Sequence, residues 1–279
     1  VTLSRSIKIA AAAASVLAAA PAWAADAPME AEPPVAVAAA QEGWIVTLKA
    51  TGVVQPRFEG TSKYGVSGTP GLSLARPGQP WKFGAPDDGF GFALIDTPWF
   101  QMGPVGRIRS ERDSSDVDRF RGMKDIDYAI EPGAFIEFYP VDVVRVRGEL
   151  RHGFWGHDGF VGNVSADYIQ RFDRTVVSFG PRMELGDSDF MDTYFGVSAG
   201  EVARNPRLSS PYKAKGGVKS VGLAAAVTYD VSESWGVTGF GAYNRLVGEA
   251  ADSPVAKRLG TKDSFVAGLG VAYSFSWGQ

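Results

Sequence analysis

Residues 143–151 read Val-Val-Arg-Val-Arg-Gly-Glu-Leu-Arg. Val144, Val146, Gly148 and Leu150 alternate with Arg145, Arg147, Glu149 and Arg151. A period of two with that contrast belongs to a strand with one apolar face and one charged face. A soluble sandwich would bury the apolar face and leave the charge in water, whereas a membrane barrel turns the apolar face to lipid and the charge into its lumen. The alternation alone is compatible with both.

The preceding segment narrows the choice. Tyr128, Ile130, Ala134, Ile136 and Phe138 share one face, and Glu131 and Glu137 share the other. A turn of Pro140 to Asp142 sets Glu137 opposite Arg145 and Glu131 opposite Arg151. A two-residue turn would set Glu137 opposite Val144 and mix the faces, which a strand with one buried face does not tolerate. The expectation is carboxylate–guanidinium pairs lining an interior, where they neutralise a polar lumen before they serve any substrate. The alternation recurs where Thr175, Val177, Phe179, Met183 and Leu185 oppose Arg174, Ser178, Arg182 and Glu184. The expected lumen charges are therefore Glu131, Glu137, Arg145, Arg147, Glu149, Arg151, Arg182 and Glu184.

Strand parity separates a barrel from a sandwich. Strands are expected near 43–58, 66–76, 80–85, 89–95, 99–110, 128–139, 143–152, 158–170, 174–186, 218–230, 235–246 and 265–277. If the last strand runs down to the periplasm, the turns near Pro77-Gly78-Gln79, Asp96-Thr97-Pro98, Pro140 to Asp142, Phe172-Asp173 and Val231 to Ser234 are periplasmic, and they are short. The connections Glu111 to Asp127, Gly186 to Gly217 and Val247 to Asp263 are external, and they are long; Phe190 to Ser198 is placed in one of these loops. Short periplasmic turns, long external loops and an even number of strands, about twelve, make an all-β, up-and-down antiparallel transmembrane barrel.

The rest of the chain agrees with that class. Arg5 and Lys8, the apolar run Ile9 to Ala20 and Ala22-Trp23-Ala24 before Ala25 have the three parts of a secretory signal, expected to be cleaved after Ala24 or Ala25. Residues 1–25 are thus read as signal, 26–42 as a flexible Ala/Pro/Glu-rich periplasmic lead-in, and 43–279 as the outer-membrane barrel. No later stretch offers the roughly 20 apolar residues of a spanning helix, so a membrane crossing must use closed strands. The chain has no cysteine, which removes disulfides, thiolate catalysis and thiolate metal sites. A net charge of -3 without a basic run argues against nucleic acid as a partner.

The C-terminus carries a local signal: Gly270, Tyr273 and Phe275 have the Gly-x-x-aromatic-x-aromatic spacing of outer-membrane barrel ends, which resembles the signal read by the barrel-assembly machinery. Ser276-Trp277-Gly278-Gln279 follow, so the chain does not stop on that aromatic. Tyr273, Phe275, Trp277, Trp235 and Phe138 are placed near the periplasmic ends, where an interfacial aromatic girdle belongs; outer-membrane lipid and lipopolysaccharide are the expected surroundings of the barrel.

Longer stretches resemble the MipA/OmpV family of outer-membrane proteins. They are Pro56 to Tyr64, Gly180-Pro181-Arg182 with Gly186-Asp187, Met191 to Val197, Tyr243 to Leu246, Ala250 to Val255 and Ser264 to Phe275. The resemblance implies an outer-membrane barrel that scaffolds peptidoglycan enzymes, bringing a lytic transglycosylase and a peptidoglycan synthase together, and it brings no catalytic residues. A narrow porin-like channel, motivated by the lumen charges, and a surface adhesin or receptor, motivated by the long loops, are the alternatives.

Other chemistry is weakly signalled. His152 and His157 flank a turn, but no nucleophile, base and orienting group can be assembled from the sequence. Asp187, Asp189 and Asp192 lack the spacing of an EF-hand and read as loop-capping residues. Gly89 and Gly91 are followed by no helix that would make them a phosphate loop. No enzyme activity, cofactor or metal is expected.

Overall fold

The computed structural model describes residues 43–75 and 82–278, so the signal and lead-in at 1–42 lie outside the described residues, as does the turn at 77–79. One antiparallel sheet of thirteen strands organises them. The long strands are β1 (Trp44–Pro56), β2 (Tyr64–Ala75), β5 (Phe100–Arg109), β6 (Ala129–Val141), β7 (Val144–His152), β9 (Phe160–Phe172), β10 (Thr175–Gly186), β11 (Gly217–Asp230), β12 (Trp235–Leu246) and β13 (Asp263–Trp277). Three strands have two residues each: β3 (Phe90–Gly91), β4 (Ile95–Asp96) and β8 (Phe154–Trp155).

The long strands from β5 to β13 pair in sequence around the curl, β1 pairs with β2, and the first strand pairs with the last, Trp44 opposite Trp277 and Val54 opposite Ala267. The hydrogen-bonded path runs from β2 through β1 and β13 round to β5 and β3. Apolar side chains point outward along every long strand: Val66 is 82% exposed and Leu269 71%, with Leu72, Ile108, Leu150, Phe179 and Leu223 beside them. Water would oppose so many bare apolar side chains, and hydrocarbon welcomes them. At the short-turn end the rings cluster, Phe100 against Phe138 at 4.9 Å and Trp235 against Tyr273 at 4.8 Å. Tyr273 and Phe275 face outward there, while Gly270 is buried against Thr51.

Three expectations are corrected. No strand covers Lys82 to Ala85; that chain lies inside the curl, with Phe83 and Ala85 buried against Ile169, Tyr139 and Val176. The strand expected over 89–95 is instead the two short pieces β3 and β4, and the unforeseen short strand β8 brings the count to thirteen. The β6–β7 turn is the two residues Asp142-Val143, and a bulge between Phe138 and Val141 supplies the extra residue that keeps the faces from mixing. Glu137 therefore stands opposite Arg147 rather than Arg145, and Arg151 stands opposite Gly133 rather than Glu131. Proline explains the bulge: Pro140 has no N–H to give to the ladder.

The long loops fold over the end of the curl away from the short turns. Helix α1 (Ser188–Phe195) lies where a loop was expected, capped by Asp187, whose carboxylate accepts from the Phe190 N–H. Helix α2 (Ala199–Arg204) starts with a capping box, Ser198 with Glu201. Helix α3 (Gly248–Asp252) and a π turn over Val255–Leu259 complete the set. Phe190, Met191, Tyr194, Phe195, Ala250 and Ala251 form one core, and Phe58, Phe120, Met123, Leu208, Val255 and Leu259 form a second. Arg112 is buried beside them, its guanidinium donating to the Tyr194 and Lys124 carbonyls at 2.9 and 3.2 Å. Burial strips its hydration and pushes its pKa down to about 10 against the opposing pull of Glu201, Tyr194 and Asp125.

Candidate functional site

The interior has two unlike walls. On β5, β6, β7, β9 and β10 the inward positions carry charge, because the period-two pattern that puts Val, Ile and Leu on lipid leaves Arg, Glu and Asp nowhere else to point. An unpaired charge there would be held off water at high cost, so each is matched. Arg145 meets Glu137 at 2.8 Å and Asp167 at 3.0 Å, and Arg147 meets Glu137 and Glu149, both at 2.9 Å. Arg151 meets Glu131 at 3.2 Å and also pairs with Glu149. The expected partners Glu137–Arg145 and Glu131–Arg151 are thus in contact although the register is two residues off. Long side chains span the diagonal that the strand offset opens.

Arg182 and Glu184 join the same ladder from β10. Arg182 reaches Asp167 at 2.7 Å and Asp87 at 2.6 Å, and Glu184 accepts from Arg109 at 3.1 Å and Lys219 at 2.6 Å. Lys219 is the extra residue of a bulge on β11, where Glu184 pairs with Ser220 and Leu185 with Val218. The bulge aims its ammonium inward at Glu59 and Glu184.

Several members were not read from the sequence. Asp87 and Asp88 arrive on the inner segment that follows Phe83; Asp88 bonds to Arg145 at 2.5 Å, and the Gly89 N–H donates to Glu149 at 3.1 Å. A Cβ on Gly89 would press on Val105 and Glu149, so only glycine lets the chain pass this close to the wall. Arg109 ties Glu59, Glu131 and Glu184 together. Alternation along β5 could have found Arg109 and Arg107; nothing in the sequence marks residues 82–88 as internal.

The ladder is bonded to the loop cap. Phe190 of α1 lies over the Arg109 guanidinium at 4.9 Å and near the Lys219 ammonium at 5.7 Å. His157 uses both ring nitrogens: Nδ1 accepts from the Gly159 N–H at 3.3 Å, so Nε2–H donates to Glu131 at 3.0 Å. His152 faces Asp158 at 3.4 Å. Asp187 caps α1, and Asp192 accepts from the Ala214 N–H at 3.2 Å; the described residues hold no cluster of three metal-ligating side chains.

Three of the stretches that carried the family resemblance, Pro56 to Tyr64, Met191 to Val197 and Ala250 to Val255, meet in this cap. Gly60, at φ +77°, has Val255 and Phe195 on its open side, and its carbonyl accepts from the Thr261 N–H at 2.9 Å. The Ser253 hydroxyl donates to the Phe195 carbonyl at 2.5 Å.

The second wall, β12, β13, β1 and β2, is uncharged apart from one lysine and mostly small, with Phe240, Val53 and Val266 as its larger inward residues. Its inward residues include Thr238, Ala242, Gly268, Gly270, Ala272, Ser274, Thr47 and Thr51, and the Thr47 and Ser274 hydroxyls bond at 2.8 Å. Lys49 is its one cation among the described residues of these strands that face inward.

A curled antiparallel sheet with lipid-facing apolar residues, a charged interior and long loops at one end defines an outer-membrane β-barrel. Residues 48–275 match the family described as MltA-interacting protein MipA, and the chain belongs to that family. No curated protein matches the sequence. Among solved structures the chain is similar to an outer membrane channel from Pseudomonas putida F1, at 11% identity and TM-score 0.43, covering 88% of this chain and 100% of that one. It is also similar to the NanC porin, at 9% identity and TM-score 0.38, covering 82% and 100%, and to Neisserial surface protein A, at 10% identity and TM-score 0.27, covering 84% and 98%.

Proposed function

We propose that this barrel is a non-catalytic outer-membrane scaffold that docks peptidoglycan-remodelling enzymes, a murein hydrolase and a synthase, at its short-turn end. The observation that carries the reading is membership of a family described by its interaction with MltA. The interior supports it: the arginines of the ladder bind carboxylates of the same chain, and the cap is packed over the long-loop end. Charges committed to one another hold a shape rather than a substrate. A rigid barrel with short turns is a suitable anchor for periplasmic partners, and the lead-in at 26–42 is a second docking element in this reading.

The test is a pull-down from detergent extracts with the purified barrel against an unrelated barrel of similar size. Recovery of a lytic transglycosylase or a synthase above the control supports the scaffold; recovery equal to the control removes it.

A second reading, a narrow path for small solutes, is favoured by one observation. Lys49 faces the interior on β1 yet is exposed to solvent, so the uncharged wall does not close on the ladder at its level.

A further inference from the structure

The register fixes what surrounds Lys49. It stands opposite Ala272 on β13 and Gly71 on β2, and Ala272 stands opposite Gly236 on β12. Four neighbouring strands thus present one lysine and three residues with little or no side chain at a single level. The Lys49 stem lies over Gly71, where an added Cβ would approach its Cβ to 3.1 Å and its Cδ to 3.7 Å. Small neighbours leave room beside the lysine stem, and the residue is exposed.

The charge pattern says what the space accepts. The other interior cations described above are held by carboxylates at ion-pair distance. Lys49 has none among the described residues; Asp88, already bonded to Arg145, acts on it only at longer range. One turn of the pleat above, Thr51 adds an inward hydroxyl, and one below, Thr47 and Ser274 add two more. An ammonium with free N–H donors, with hydroxyls at the inward levels above and below it, is a receptor for a small anion.

We propose that the Lys49 ammonium is the binding group of a small-anion site, for a carboxylate or a phosphate, in the uncharged half of the lumen. The inference deepens the solute-path reading and rests on it for access from solvent. It needs binding and not passage, so a barrel that fails to conduct leaves it standing.

The absence of native cysteine makes the experiment clean. Thr51→Cys is introduced into the mature barrel, folding is checked by heat-dependent gel mobility, and the thiol is reacted with a sulfonate-bearing and with a trimethylammonium-bearing methanethiosulfonate. With Lys49 present, the anionic reagent is expected to react about five- to tenfold faster relative to the cationic one than at an exposed loop control, Ser209→Cys, the size that one charge a few ångströms away exerts in a partly solvated site. Adding Lys49→Gln is expected to return the ratio to the control value.

Exchanging chloride for inorganic phosphate or for acetate at constant ionic strength then names the ligand. Slowing of the sulfonate reaction by phosphate assigns a phosphate site and slowing by acetate a carboxylate site, each only when Lys49 is present. An unreactive Thr51→Cys in a folded barrel overturns the proposal, as does a ratio indifferent to Lys49→Gln or a rate that neither anion alters. Planar-bilayer recordings on the same protein test the solute path separately: labelling with silent bilayers keeps the anion site and removes conduction.

Discussion

Glu131 offers the sharpest test of the ladder. Its buried carboxylate accepts from Arg109 at 2.6 Å, Arg151 at 3.2 Å and His157 at 3.0 Å. Glu131→Gln keeps the volume and removes the charge. Breaking a buried pair on one side costs about 3–5 kcal/mol when the other charge is left alone. Here Arg109 keeps Glu59 and Glu184, and Arg151 keeps Glu149 and Asn163, so the low end, about 3 kcal/mol, applies. With a urea dependence of about 3 kcal/mol per molar, the unfolding midpoint in lipid vesicles should fall by about 1 M. Arg151→Gln alone should cost a similar amount, but the double variant should cost about 3–4 kcal/mol rather than about 6, a coupling of about 2–3 kcal/mol. Single effects that add to within about 0.5 kcal/mol would refute the claim that the two residues stabilise each other.

Three further outcomes are expected. Cysteines at Ile136 and Gly148, which are direct partners, should form a disulfide on mild oxidation, whereas cysteines at Ile136 and Val146 should not; the reverse would restore the three-residue turn. Phe190→Ala should cost about 3–5 kcal/mol of local packing and make the cap protease-sensitive while heat-dependent gel mobility persists; an unchanged digestion pattern would show that Phe190 does not hold the cap down. Glu201 is buried, which favours its neutral form, but bonds from the Ser198 and Lys124 N–H groups and the Ser198 hydroxyl hold its pKa below the usual 4.5. Its stabilisation is therefore complete above pH 4.5 and lost as pH falls through the depressed value, so pepsin should nick the α2 region only in strong acid; nicking that begins near pH 6 would contradict the assignment.

Much of this architecture is legible in the residues, and the failures have causes. The β7 pattern is plain because valine and arginine differ so strongly in hydropathy that the faces separate at a glance. The register beside it is not, because Pro140 marks an irregularity without saying whether the extra residue joins the turn or the strand. Lys82 to Ala85 misleads for a deeper reason: Phe83 and Ala85 alternate like lipid-facing residues, and alternation cannot tell lipid from an apolar pocket among Ile169, Tyr139 and Val176. Helix α1 had its signals, Asp187 as cap and Phe190, Met191, Tyr194 and Phe195 at helical spacing, but strands on either side hid them. The ladder's β6, β7 and β10 members follow from parity. Asp87 and Asp88 do not, since only the path of the chain puts them inside, and Lys219 depends on a bulge that no residue type announces.

The cap has a consequence for how this protein comes into being. Phe58 and Gly60 sit on the first connection, Phe195 on a middle one and Val255 and Thr261 on the last, so the contacts among them require β1 and β13 to have met. A nascent chain whose sheet is still being zipped has no lid, only loose loops around an unfinished mouth. An intact cap is thereby a record of that meeting: a molecule whose loops resist digestion is one whose first and last strands are already paired.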